Sequence, residues 1–174
     1  MSQPVSRSVS QCVAGFGQVG VNSSFWLGLE AIHQLTYNSG YTRMRIEMYA
    51  DDNAWYSAEY DHFRIANSST KYQLSISDYS GDAGNYLQMS NGRAFSTSDN
   101  GNQFAQQAEL MEGGWWYSGY DYASLNGASE LVLMPNSTGF YWNSASINPP
   151  PSTSDLVGVK PGRLLISRIM ITRP

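Results

Sequence analysis

Residues 77–101 read SDYSGDAGNYLQMSNGRAFSTSDNG, and aspartates, serines and glycines are interspersed along this stretch. The protein as a whole is poor in charge, because only 14% of its 174 residues are charged. Carboxylate oxygens on a backbone that can fold around an ion are typical of calcium loops. The same residue types are typical of plain turns. The stretch therefore leaves two alternatives, a divalent-cation loop or a set of turns.

The composition indicates a single domain with an aromatic-rich core. The sequence is 41% hydrophobic and 13% aromatic, and its length and composition suit one domain. Its net charge is −4 and it has no run of lysines or arginines, whereas phosphate binding needs a basic patch. We therefore expect no nucleic-acid partner. No run of about 18 apolar residues and no charged-then-apolar leader is present, so we expect neither a membrane span nor a signal peptide.

Alternation of apolar and polar residues predicts an antiparallel sheet. Residues 43–49, RMRIEMY, alternate strictly and place Met44, Ile46 and Met48 on one face. We expect further strands at 54–65 and 71–77, and a terminal strand at 163–172 that closes the sheet.

Outside these strands we expect a short helix and much irregular structure. Residues 25–35 carry apolar side chains at helical spacing after a capping cluster, Asn22-Ser-Ser. Residues 1–11 are predicted to form a loose polar arm, and 12–174 a single domain. Glycine, serine and aromatics dominate from 78 to about 163. The expected fold class is α+β, an antiparallel sheet with short helices and a large loop-rich region.

The cysteine content and the glycosylation sequons of the sequence bear on whether the protein is secreted. Cys12 is the only cysteine in the sequence, so no internal disulfide and no thiolate zinc site can form. N-x-S/T sequons occur at Asn22, Asn67 and Asn136. They favour a secreted, glycosylated protein, although a sequence rich in serine and asparagine also produces such triplets by chance.

A series of motifs carries a resemblance to a known family. They are GFG (15–17), FWLGLEAIHQLT (25–36), RMRIEM (43–48), AEYDHFRI (58–65), YQLSISDYSGDAGNYL (72–87), NGRAFSTSD (91–99), GGWWY (113–117), LNG (125–127) and MITRP (170–174). In this order they resemble a fibrinogen C-terminal-like domain, the module of fibrinogen, ficolins, tachylectins, tenascins and angiopoietins. The resemblance covers 12–128 and the last dozen residues and is thin between 129 and 162. It implies an extracellular, non-catalytic module that binds glycans or proteins.

The sequence also departs from the family pattern. By the resemblance, we expect the disulfide-bearing N-terminal subdomain to be essentially absent, and Cys12 stands where the family usually has an aromatic residue. The two cysteines that flank the family's ligand pocket are replaced by Gln107 and Tyr120. Asp121 replaces a histidine that helps to hold ligand.

The resemblance also implies a place for calcium, directly after the FST motif. Family members use two aspartates spaced D-x-D there; Asp99 matches the first, but the second has become Gly101. Asn102 or a carbonyl could substitute as a weak ligand. Calcium takes roughly six to eight oxygen ligands, and its affinity for a site falls as negatively charged ligands are lost. We therefore expect that the ion is lost and that turns remain. Asp78 and Asp82 are expected to be structural, as buried aspartates that cap loop amides.

By the same resemblance, one ligand pocket is expected. Its walls would be, by position, Met111, Tyr120, Asp121, Asn136 and Ser137. A carboxylate at 121 could accept hydrogen bonds from sugar hydroxyls or pair with an amine. A glycan on Asn136 would cover the pocket, so a diverged or inactive pocket is the favoured interpretation.

No catalytic constellation is recognisable. Glu30 and His33 would share a helix face, but neither they nor His62 has a partner spacing that builds a metal site or a triad. Cys12 lacks a nearby activating base in sequence. We expect that the protein is not an enzyme. The tryptophans of 113–117 are expected to fill the core rather than to stack on sugars.

Two hypotheses for the function remain. In the first, the protein is a lectin-like recognition module for a glycan or a protein. In the second, it is an assembly subunit that has lost calcium and acetyl-group binding. Loss of the N-terminal subdomain would expose apolar surface on the sheet, which a homo-oligomer or a partner subunit would cover.

Overall fold

The computed structural model describes residues 7–20, 23–100, 102–119, 123–128, 140–142 and 162–174. Three helices lie in these residues: α1 (Val9–Ala14), α2 (Leu29–Asn38) and α3 (Ala105–Leu110). The strands are β1 (Phe16–Gly17), β2 (Phe25–Trp26), β3 (Arg43–Ala50), β4 (Trp55–Ile65), β5 (Leu74–Gly81), β6 (Ala123–Ser124), β7 (Tyr141–Trp142) and β8 (Gly162–Thr172).

The main sheet has six strands in the order β5-β4-β3-β8-β7-β6, and β1 and β2 form a separate pair. All pairings are antiparallel, which confirms the α+β class. The prediction that the last strand closes the sheet is wrong. β8 lies between β3 and β7, with both of its edges paired. Consecutive strands pair only about two-thirds of the time, and here the last strand pairs with the first long one.

The predicted face of β3 is confirmed. Met44, Ile46 and Met48 are buried, because side chains two apart on a strand share a face. In β4 and β5 the alternation of buried and exposed side chains is interrupted where the two strands lie side by side. Two successive residues are exposed on each strand, Asp61-His62 on β4 and Ser77-Asp78 on β5. This break shifts the phase of both strands together, so that the side chains on either side of it still reach the core.

Two predicted boundaries are wrong for a conformational reason. The strand expected at 71–77 begins only at Leu74, because Lys71 and Tyr72 have φ of 54° and 53°, which no strand allows. The helix expected at 25–35 begins only at Leu29. Gly28, with φ of 101°, is its N-cap, and 25–26 form β2 instead.

Helix α1 begins inside the arm predicted for 1–11. Ser8 caps it with a reciprocal capping box: its hydroxyl accepts from the Gln11 amide, and the Gln11 side chain accepts from the Ser8 amide. Cys12 on this helix is 1% exposed, and its carbonyl accepts from Trp26 Nε1 at 2.9 Å. These contacts hold residues 8–14 against the domain.

The core is built largely from aromatic side chains. Trp115, Trp116 and Tyr117 are buried, which confirms the core interpretation of 113–117. Trp116 meets Phe95 edge-on at 5.1 Å between ring centroids. Gly113 is required next to them, because a Cβ there would collide with the Asn126 carbonyl. In the described part of the protein, no helix has the length and apolarity needed to cross a bilayer.

Candidate functional site

The exposed carboxylate of Asp99 accepts hydrogen bonds from two groups of the protein itself. The backbone N–H of Val9 donates to both carboxylate oxygens, at 2.9 and 3.2 Å. The Thr97 hydroxyl donates to Oδ1 at 2.7 Å. Val9 is the first residue of α1, whose amide has no partner within the helix. Asp99 therefore holds helix α1 from a distance of 90 residues in sequence.

The asparagines of the same loop are also committed. Asn102 Nδ2 donates to Ser96 Oγ at 2.6 Å and to the Phe95 carbonyl at 3.2 Å, and its Oδ1 accepts from the Phe104 amide at 2.9 Å. Asn100 Nδ2 donates to the Phe95 carbonyl at 2.7 Å. Both asparagines therefore hydrogen-bond to other groups of the protein, and Gly101 lies outside the described residues.

Asp78 and Asp82 differ from the expectation, because both are exposed rather than buried. Asp82 does bind a backbone amide, that of Ser57, at 2.6 Å. Asp78 instead pairs with the Ser77 hydroxyl and the His62 ring. These two hydrogen bonds hold the pKa of the Asp78 carboxyl below its usual value, and the bond from Ser77 has the larger effect. The prediction of amide capping holds for Asp82 alone.

Of the five predicted pocket residues, the structure describes only Met111. It ends helix α3, is partly buried and packs against the core. Tyr120, Asp121, Asn136 and Ser137 lie outside the described residues, so the ligand pocket stays a prediction. Asn22, which begins another predicted glycosylation sequon, also lies outside the described residues. Asn67 is exposed and caps a short turn by accepting from the Ser69 amide at 3.1 Å.

The residues considered for catalysis have structural hydrogen bonds. Glu30 accepts from Gln34 at 2.8 Å and from the Tyr72 hydroxyl at 3.0 Å. His33 Nδ1 lies 2.9 Å from the Ile65 carbonyl. Within the described ranges, no three histidine, cysteine, aspartate or glutamate side chains form a group that could hold a metal ion.

Cys12 has the properties of an inert core thiol. Burial, with the nearby Asp99 carboxylate, raises the pKa of this thiol to about 11 from an ordinary 9.0, and Arg7 opposes the rise. A thiolate is the reactive form, so burial and a high pKa both suppress nucleophilicity.

We expect Cys12 to react with a disulfide reagent at about pH 8 at least about tenfold more slowly in the native protein than in denaturant. Because the native pKa is raised, the unfolded protein loses the thiol proton first, so the stability contributed by Cys12 falls as the pH rises from 9.0 towards 11. A Cys12→Ala variant should show a shallower alkaline decline in the free energy of unfolding. Equal labelling rates for native and denatured protein would contradict the prediction.

The outer face of the main sheet, opposite the core, carries a groove of about 330 Å³. A network of ion pairs crosses this face. Arg45 contacts Glu47 at 3.0 Å and also pairs with Glu59, while Arg168 Nε donates to Glu47 at 3.1 Å. Hydrogen bonds from Arg168 and then Arg45 lower the pKa of the Glu47 carboxyl. The charges on this face are therefore largely neutralised within the protein.

An exposed apolar patch lies at one end of the same face. We call Tyr49, Trp55, Leu165 and Ile166 the outer-face patch. Tyr49 pairs in register with Trp55 on one side and with Ile166 on the other, and the Tyr49 and Trp55 ring centroids lie 5.2 Å apart. Trp55 is 56% exposed, Ile166 53% and Leu165, at a β-bulge, 50%. The sequence predicts apolar surface on the sheet but not these residues. The signal for them in the sequence is Trp55, which is out of phase with the nearby buried positions Ala58 and Tyr60 of β4.

Comparison with known proteins now identifies the family. The family model that matches residues 2–146 describes the C-terminal globular domain of the fibrinogen beta and gamma chains, and this protein belongs to that family. It is 34% identical to protein scabrous of Drosophila melanogaster over 171 residues, 97% of this sequence but only 19% of that protein.

Solved structures agree with this assignment. The fibrinogen-like globe domain of human ANGPTL6 superposes with a TM-score of 0.74 at 27% identity, over 97% of this protein and 71% of that one. Lamprey fibrin D-dimer complexed with the peptide ligand Gly-His-Arg-Pro-amide gives a TM-score of 0.60 at 30% identity, over 70% of this protein and 43% of that one. The fold expected from the resemblance is thereby confirmed.

Proposed function

We propose that this protein is a non-catalytic extracellular recognition module that binds a protein partner through the outer-face patch. One observation carries the proposal, the contiguous placement of two neighbouring aromatic rings and two exposed aliphatic side chains on a sheet face. Contiguous apolar surface of this kind marks interaction sites in soluble proteins. The extracellular location rests on the family and on the sequons.

The surroundings of the patch suit a protein interface. Tryptophan, tyrosine and arginine are enriched among the residues that contribute most to binding. Trp55 offers a large rigid anchor, and the Arg45, Glu47 and Arg168 network forms a polar margin next to it. Because these charges already pair with one another, a partner buries the apolar centre without leaving an isolated charge unpaired.

The aliphatic half of the patch favours a protein over a glycan. A sugar ring stacks on an aromatic face and otherwise needs hydrogen bonds to its hydroxyls, which Leu165 and Ile166 do not offer. An apolar side chain of a protein partner, in contrast, can bury apolar surface against both the aromatic and the aliphatic residues of the patch. Lamprey fibrin, similar in fold, was solved with a bound peptide, which supports peptide recognition by this fold.

The test uses patch variants of the whole protein. Trp55→Ser and Ile166→Ser should each reduce binding of a tetramerised form to intact cells at least about tenfold, because each removes an anchor of about 2 kcal/mol. Binding should be lost after surface proteolysis and survive glycosidase treatment. Leu110→Ser, at an exposed leucine on α3 that is not part of the outer-face patch, is the matched control and should bind normally.

Other results would contradict the proposal. Glycan-array binding that Tyr120→Ala or Asp121→Ala abolishes, with Trp55→Ser unaffected, would favour the lectin hypothesis. An oligomer by light scattering that Trp55→Ser dissociates would favour the assembly hypothesis. Circular dichroism of each variant checks that the fold is kept, which the exposure of these side chains leads us to expect.

A further inference from the structure

In the described part of the loop where the family resemblance places calcium, Asp99 is the one carboxylate, and it already accepts hydrogen bonds from the protein itself. Both oxygens of Asp99 accept hydrogen bonds from the Val9 amide, and Oδ1 also accepts from Thr97. Calcium would have to share this single carboxylate with these donors, and Gly101 stands where the family pattern has a second aspartate. The residues present therefore do not fit a calcium site.

The neighbouring side-chain oxygens are committed too. The Asn102 Oδ1 oxygen accepts from the Phe104 amide at 2.9 Å, and the Asn100 Oδ1 oxygen accepts from the Asn102 amide at 3.3 Å. These asparagine oxygens, close to Asp99 in sequence, already serve the backbone of the loop.

A positive charge of the protein already binds the loop. Lys71 Nζ donates to the Asn100 carbonyl at 3.1 Å, across 29 residues of sequence. The left-handed φ of Lys71, 54°, ends the turn before β5 at this point, and the Lys71 carbonyl accepts from the Phe95 amide at 2.8 Å. A calcium ion on the same carbonyl would stand next to a like charge.

We propose that the Lys71 ammonium group, next to the Asn100 carbonyl, takes the place of a metal ion, while Asp99 holds helix α1. One ammonium and one carboxylate balance the charge of the loop without an external cation. The loop and the N-terminal helix then form one unit that is independent of calcium.

The first test is a calcium titration of the unmodified 174-residue protein. Calorimetric titration with CaCl₂ should show no binding with a Kd below about 1 mM, the weak limit for extracellular calcium modules. The melting temperature should be the same in calcium and in EDTA. A calcium-dependent rise in melting temperature, or a Kd below that limit, would overturn the proposal.

The second test separates the two roles by substitution. Lys71→Met should lower the melting temperature by about 2–4 °C, as a loss of one charged hydrogen bond predicts for a protein of this size, and Lys71→Arg should recover part of it. A melting temperature of Lys71→Met equal to that of the unmodified protein would contradict the role of Lys71.

The role of Asp99 has its own readout. Asp99→Ala should release α1 and increase the labelling rate of Cys12 at least about tenfold, because local opening exposes the thiol. Thr97→Val, which removes a donor to Asp99 but not the contact with Val9, should leave the labelling rate close to that of the unmodified protein. An unchanged labelling rate in Asp99→Ala would show that α1 is held otherwise.

Discussion

We expect Trp116→Ala to reduce the free energy of unfolding by about 4 kcal/mol, close to the upper end for a buried large-to-small change. Trp116 is 3% exposed and contacts the rings of Trp26, Phe95 and Trp115, so its removal leaves a cavity that three aromatic rings cannot easily fill. Its Nε1 also donates to the Tyr72 carbonyl at 2.8 Å, and the variant leaves that buried acceptor without its donor.

Chemical denaturation followed by far-UV circular dichroism measures this effect. Trp55→Ala is the matched control, because it removes the same side chain from an exposed position of the outer-face patch. We expect the control to lose less than about 1 kcal/mol. Similar losses in the two variants would show that Trp116 does not have the central packing role assigned to it.

We expect Gly28→Ala to cost about 3 kcal/mol or more, because strain and a collision add at this position. Gly28 has φ of 101° and ψ of 137°, close to a region that only glycine occupies readily. A Cβ at this position would also lie 2.8 Å from the Gly15 amide nitrogen and 2.8 Å from the Val13 carbonyl oxygen, both backbone atoms. The variant therefore strains the start of α2 and pushes it away from α1.

Gly40→Ala separates these two causes. Gly40 also has a positive φ, 70°, but a Cβ there would meet no atom within 4 Å. We expect it to cost only about 1–2 kcal/mol, the penalty for the left-handed conformation alone. If both alanine variants lost the same free energy, close approach of α1 and α2 would not contribute at Gly28.

Much of the fold could be predicted from local patterns. The strict alternation of RMRIEMY predicted both the strand and its buried face, because side chains on a strand repeat every two residues. The motif order predicted the family, and the glycine-tryptophan cluster predicted a packed aromatic core. These features depend on residues close together in sequence.

The errors share a different cause. Helical spacing at 25–35 did not reveal that Gly28 adopts a backbone conformation outside any helix, so the predicted helix began one turn too early. The pattern at 71–77 did not reveal the left-handed residues Lys71 and Tyr72. The position of β8 between β3 and β7 depends in part on its pairing with β3, which is far away in sequence. No local sequence pattern predicts such a pairing.

The candidate sites divide in the same way. Sequence by itself determined that Asp99 is present and that Gly101 stands where the family resemblance places a second aspartate. Only the tertiary structure decided what Asp99 and Lys71 bind, because Val9 and Asn100 reach them through folding rather than through proximity in sequence. The outer-face patch likewise exists only where β4, β3 and β8 lie side by side. Local residue chemistry determines the propensity of each segment, whereas a binding surface is formed by distant segments whose side chains meet only in the folded protein.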